Sequence, residues 1–214
     1  MKGIYKIHKT NFILSLGVLS NSCCRSPCLK VSFAPMKTAI SSQQLVYFRK
    51  QGHIRFENYP LDFQKIQKSL TKAKSGRDLW RDSPDLKKMI LHSLAPLALE
   101  LTKKRSIRLC CDQWIDTAPT VSRIQDMFCF QSLACFFVFS KEEEHPEKGT
   151  LLDIYEPSSL ASLLPINAYL VAFGQDNALL IENSKDPFTL LTRNLGYVYG
   201  DHLRNEFHPL IHPK

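Results

Sequence analysis

The sequence lacks most of the short motifs that announce a chemistry. It contains no C-x-x-C pair, and its one C-x3-C, Cys24 and Cys28, has no second half, so zinc-type or redox dithiol spacing is absent. There is no G-x-S-x-G, no P-loop and no G-x-G-x-x-G, which removes the nucleophile elbow and the phosphate-cradling loops. No apolar run approaches the roughly 18 residues that a membrane span needs. Internal repeats and low-complexity stretches are missing as well. What remains is an ordinary globular composition, 44% hydrophobic and 22% charged over 214 residues, enough for one domain with a real core.

The formal charge of +8 is polarised along the chain. Residues 1–35 carry net +5 from Lys2, Lys6, Lys9, Arg25 and Lys30; residues 36–110 carry net +10 and residues 111–214 net −7. A basic half can attract phosphates or an acidic partner, but solvated helix faces balancing an acidic half explain the same numbers. Aromatic residues are not interleaved with the basic ones, so nucleic acid is not an expected partner. Docking of the basic half on an acidic protein, or on nucleic acid, would require Lys68, Lys72, Lys74, Arg77, Lys87 and Lys88 to share one surface.

Seven cysteines, an odd number, include Cys110, Cys111, Cys129 and Cys135 inside apolar stretches, where reduced cysteine acts as a small hydrophobe. They fit a reducing, cytoplasmic setting without a structural metal. The first 35 residues have a basic start, an apolar stretch from Phe12 to Leu19 and the cluster Cys23, Cys24 and Cys28. That pattern is shared by export or lipid-anchoring signals. Because Met36 precedes a clean helix start, residues 1–35 read first as a disordered N-terminal extension and 36–214 as a single domain.

Helices come first. Ser41 and Gln44 form a capping box, Leu45 and Phe48 share a face, and Gly52 stops the helix. "HIRFENY" then alternates, with Ile54 and Phe56 on one side. Asp62 starts a second helix with the stripe Phe63, Ile66, Leu70 and Ala73; Ser83-Pro84 starts a third, with Leu86, Met89 and Ile90 inward. Pro96 is expected to separate or kink it from "LALELTKK".

After Arg105 the period becomes extended: "SIRLCCDQWI", "MFCFQSLACFFVFS", "TLLDIYEP", "AYLVAFG", "NALLIEN" and "LGYVYG" all read as strands. "FGQDNA" reads as a hairpin turn. The apolar run from Met127 to Phe139 belongs at the centre of a sheet. Adjacent Cys110 and Cys111 should point to opposite faces, one of them outward. The fold class is therefore α+β, with N-terminal helices packed on an antiparallel double-stranded β-helix, cupin or jelly-roll in type.

The stretches "LVYFRKQGHIRFENY", "LAPLALELTKKRSIRLCCDQWI" and "HPEKGTLLDIYEPSS" give residues 40–165 an order that resembles the phytanoyl-CoA dioxygenase-like group of iron(II)/2-oxoglutarate oxygenases. The resemblance implies a facial triad, His-x-Asp/Glu plus a distal His, with open positions for 2-oxoglutarate and oxygen. It also implies a late Arg or Lys for the cosubstrate carboxylate. The His-x-Asp should fall between "CCDQWI" and the long strand, yet "DTAPTVSRIQD" offers only Asp116 and Asp126.

The one His-x-acid is His145-Pro146-Glu147, which with His202 could rebuild a triad near Arg193 and Arg204; "EEEHPEKG" reads better as a charged turn. His202, His208 and His212 read as a C-terminal tail pattern, and Trp80, between Arg77 and Arg81, as a loop anchor. No catalytic or cofactor-binding residue is assigned. The leading expectation is a catalytically degenerate oxygenase-like protein that binds a small organic ligand or a partner without a cofactor. The alternative is an active iron(II)/2-oxoglutarate dioxygenase with non-standard ligands.

Overall fold

The computed structural model describes residues 40–60, 66, 76–141 and 149–213. The expected second helix lies outside them, apart from Ile66, which is fully buried in the core. So does the N-terminal segment to residue 39.

Helix α1 (Ser42–Gln51) begins at the expected capping box: Ser41 Oγ accepts from Gln44 N at 3.2 Å and Gln44 Oε1 accepts from Ser41 N at 2.9 Å. Gly52, at φ 69°, ends it and its amide bonds Phe48 O. A Cβ there would lie 2.6 Å from the Glu156 carboxyl, so glycine serves both the turn and the contact. The chain passes directly into β1 (His53–Tyr59).

Ser83 caps α2 (Pro84–Met89) through a bond from Leu86 N, with Asp85 in the first turn. Pro96 does not separate this helix from α3 (Ala95–Thr102). Instead one wide turn, Ile90–Leu94, joins them, and Ala95 N–H reaches back five residues to Ile90 O. Proline lacks an amide hydrogen and its ring crowds the carbonyl four residues earlier; a π-turn gives it room without ending the helix. Leu86, Ile90, Leu94, Leu97 and Leu101 line the buried side. Among the described residues no helix is long and apolar enough to cross a membrane.

The described strands form one six-stranded antiparallel sheet, ordered β1-β4-β3-β5-β2-β6, with β2 (Ile107–Ile115), β3 (Phe130–Lys141), β4 (Thr150–Tyr155), β5 (Ala168–Leu180) and β6 (Leu210–Ile211). The expected α+β architecture is present: helices on an antiparallel, jelly-roll-like half-barrel. The long apolar strand β3 is interior, as its composition requires. Ile54, Leu109, Phe137, Phe139, Ile154 and Val171 pack against the helices. Phe136, Val138, Leu170, Ala172 and Tyr155 face the other way, under Ile124, Phe128, Ala161 and Leu164 of the connecting loops. The sheet thus has a helix face and a loop face.

Three strand-level expectations are corrected. "FGQDNA" is not a hairpin: β5 runs on from Ala168 to Leu180, and both its ends pair with β3. Between Gln131↔Leu179 and Leu133↔Gly174 it carries surplus residues opposite Ser132, so polar Gln175, Asp176 and Asn177 bulge out of a continuing strand. "LGYVYG" is a turn rather than a strand, with Gly196 and Gly200 at φ 75° and 93°. Cys110 and Cys111 are both buried on the loop face. The register steps from Leu109↔Phe173 to Cys111↔Ala172, so Cys110 is a bulge residue and the alternation resets.

That bulge presses on β5. A Cβ at Gly174 would come within 2.6 Å of Cys110 Sγ and 3.1 Å of Ala178 Cβ, both fully buried. Gly174→Ala is expected to cost about 1–3 kcal/mol in urea denaturation, as overpacking does. Cys110→Ala in the same background should recover much of that loss, and a failure to recover would mean that Cys110 is not the obstacle.

Candidate functional site

The segment in which the resemblance places His-x-Asp crosses the loop face, where Ile124 and Phe128 bury their side chains. Its acids are peripheral: Asp116 is exposed and Asp126 half-buried. Of the alternative triad, His145 and Glu147 lie outside the described residues, and His202 is exposed beside Leu179. His212 is exposed too. Among the described residues no group of three or more His, Cys, Asp or Glu side chains is placed to hold a metal.

His208, expected in a tail, is fully buried. Its Nδ1 meets the Cys110 carbonyl at 2.8 Å, which requires a hydrogen on Nδ1. Burial, then the nearby Arg81 charge, pushes its pKa down to about 4, so it is neutral at pH 7. Arg108 donates to its carbonyl at 2.7 Å, and Leu109 N bonds Pro209 O at 3.1 Å. The C-terminal segment is thus strapped along β2 by polar contacts that the His spacings did not reveal.

The polar groups that do gather form a row across the loop face. Following the pairing register, Arg55 on β1 stands opposite Asp153 on β4, then Val138 on β3, Leu170 on β5, Gln113 on β2 and finally Arg77. At one end Arg77 Nη1 donates to both Asp186 oxygens, at 2.9 and 2.8 Å, and Nε and Nη2 donate to Gln113 Oε1. Phe128 and Phe188 lie 5.2 and 4.8 Å from the guanidinium. Asp186 accepts two further amide bonds, from Cys129 N and Phe188 N, and the whole pair is buried. Arg77 therefore belongs to the interior and not to a basic docking surface; Lys87 and Lys88 are exposed, and Lys68, Lys72 and Lys74 lie outside the described residues.

At the other end Arg55 grips Asp153 in a fork, Nε to Oδ1 at 2.7 Å and Nη2 to Oδ2 at 2.9 Å. His53 Nε2 reaches the same Oδ1 at 2.9 Å. Burial pushes the Asp153 carboxyl upward, but the bonds from His53 and Arg55 and their charges outweigh it, so it stays below the usual carboxylate range. Val138 and Leu170, between the two ends, are fully buried. The sequence held a signal for this cluster: a lone acid in the apolar strand "TLLDIY", opposite the polar side of "HIRFENY".

On the helix face, Asp112 is buried without a cation. Its Oδ2 accepts Trp80 N–H at 3.0 Å and the Tyr169 hydroxyl. Trp80, 4% exposed, anchors its loop as expected, with Arg81 and Lys87 over its ring. Burial raises the Asp112 pKa to about 7.

No family model matches the sequence, and no curated protein sequence matches it. Solved structures do match in shape. The non-heme alpha-ketoglutarate-dependent carbocyclase SnoK from nogalamycin biosynthesis superposes with TM-score 0.54 at 12% identity, covering 80% of this chain and 96% of that one. The epimerase SnoN of the same biosynthesis gives the same figures. CT296 from Chlamydia trachomatis gives TM-score 0.50 at 18% identity, over 65% of this chain and 97% of that one. The chain shares the fold of non-heme alpha-ketoglutarate-dependent enzymes; the likeness is to that fold and not to the phytanoyl-CoA dioxygenase group in particular.

Two stability measurements follow from these buried groups. Asp186→Ala removes the carboxylate that balances the buried Arg77 charge and should cost about 3–5 kcal/mol; adding Arg77→Met should return part of that loss. Asp112 acts in the opposite sense to a salt-bridged acid. Its folded pKa lies above the unfolded value near 4, so the folded state binds more protons between about pH 4 and 7 and stability falls as pH rises through that window. In Asp112→Asn that decline should vanish, read as the difference between variant and wild-type pH profiles, in which the His208 contribution cancels.

Proposed function

We propose that this chain is a non-catalytic relative within the oxygenase fold, acting by binding a small organic ligand rather than by iron chemistry. The observation that supports it is the content of the cross-sheet row. Each acid in the row's two clusters is already held by a guanidinium, Asp153 by Arg55 and Asp186 by Arg77. The positions between them are Val138, Leu170 and Gln113. A facial triad needs two imidazoles and a carboxylate with lone pairs to spare. Within residues 116–129, over this face, there is no imidazole, and Asp116 points to solvent. The described residues do not fit iron(II), so no step is assigned to it.

Anaerobic titration of the full chain with iron(II) and 2-oxoglutarate tests the reading. No saturable visible charge-transfer band is expected from folded protein. A band requiring both components would overturn the proposal and direct attention to His145, Glu147 and His202.

A further inference from the structure

The least satisfied part of the described interior is where the turn Leu79–Arg81 meets β2. Six buried side-chain polar atoms have no hydrogen-bond partner among the described residues, and four of them lie here: Asp78 Oδ1, Trp80 Nε1, Arg81 Nη2 and Asp112 Oδ1. Each such atom favours a conformation that lets water in. The turn is also held to β2 largely through one residue. Asp78 N bonds Asp112 O at 2.9 Å, and Trp80 N bonds Asp112 Oδ2 at 3.0 Å. Behind them Trp114 N bonds Gly76 O at 2.7 Å. Asp78 enters the turn in a left-handed conformation, φ 59°, that most side chains resist. The Asp78 and Arg81 side chains are 20% and 24% exposed, so solvent stands beside the junction.

Charge sets the direction in which pH moves this contact. The Asp112 carboxyl is fully buried, and its partners are the Trp80 amide and the Tyr169 hydroxyl. Among the described residues, the groups on the elements packed around it offer no bonded cation. On the turn, Arg81 is taken by Asp78 at 3.0 Å, and the Asp78 carboxylate repels a second one. Burial keeps Tyr169 of β5 and Cys111 of β2 neutral. Lys87 of α2 lies over the Trp80 ring, 5.7 Å from its centroid, and His208 of the C-terminal strap is neutral. Burial, with Asp78 adding to it, therefore holds the proton on Asp112 up to about pH 7. A lifted turn that lets water reach the carboxyl returns it to the ordinary range near 4.

We propose that the 78–81 segment is an acid-tightened latch on β2, closed over protonated Asp112 and lifting more readily once that proton has left. The proton passes to solvent, and no covalent bond forms or breaks. Opening is local: the Asp78 and Trp80 amides come free while β3 and β5 keep their ladder. The lifted form binds fewer protons between about pH 4 and 7, so opening rises with pH across that window, by up to about tenfold per unit, and levels off above it. Global unfolding follows a different profile. It also frees His208, whose depressed pKa makes stability rise with pH up to about 6.5.

Native-state amide hydrogen exchange on the full chain, corrected for the intrinsic pH dependence of exchange, separates the two. The Asp78 and Trp80 amides are expected to be less protected than those of β3 and β5. They should lose up to about tenfold protection per pH unit between about pH 4 and 7. In Asp112→Asn, whose carboxamide oxygen still accepts from Trp80 N–H, that loss should disappear. Carbon-13 NMR of the wild-type Asp112 carboxyl needs no variant and should show a titration near 7. Trp80 protection equal to that of β3 and β5 at every pH, an unchanged slope in Asp112→Asn, or a carboxyl that titrates near 4 would each overturn the latch.

Discussion

Burial of the sheet on both faces governs everything else in this molecule. Helices cover one side and irregular loops cover the other, so any polar side chain on the inner strands must find its partner inside the protein. Among the described residues, Arg77 with Asp186, Arg55 with Asp153 and Arg108 with Asn205 and the His208 carbonyl are such solutions, and Asp112 with Tyr169 and Trp80 is one on the helix face. Each ties a strand to a different part of the chain. Arg77 joins the segment before the 79–81 turn to the loop at 186; Arg55 joins the first strand to the fourth; Asp112 joins β2 to the loop anchored by Trp80. The ion pairs are not strong sources of stability in themselves, since desolvation offsets most of the attraction. Their consequence is specificity of register: a slipped β1 would leave Asp153 buried and bare.

The parts of the fold legible in the sequence are those set by local rules. Ser41, Gln44 and Gly52 define one helix completely, because capping chemistry and left-handed glycine act within a few residues. The alternation of "HIRFENY" and the unbroken apolarity of β3 report burial directly, and so gave strand type and central placement.

Where the reading failed, the cause was an interaction between distant residues. "FGQDNA" has hairpin composition, but its two flanks both pair with β3, so the turn became a bulge. Cys110 and Cys111 obey strict alternation only if the ladder is regular, and pairing with β5 made Cys110 a bulge. Pro96 should separate or kink the helix on local grounds, and the separation does not occur: packing of Leu94 and Leu97 on either side holds the helix together through a π-turn. The Arg55–Asp153 and Arg77–Asp186 partners are separated by about a hundred residues and leave only the faint mark of an acid in an apolar strand. The likeness to non-heme alpha-ketoglutarate-dependent enzymes lies in the scaffold, and a scaffold hosts many chemistries.

The most direct test is site-resolved. Manganese(II), which seeks the same oxygen and nitrogen ligands as iron(II) and broadens nearby resonances, can be titrated with 2-oxoglutarate into protein carrying labelled methyl groups. The account expects the Val138 and Leu170 methyls, at the centre of the loop face, to remain sharp throughout. Their selective broadening at stoichiometric metal would contradict it, placing a metal among residues that serve packing and ion pairs.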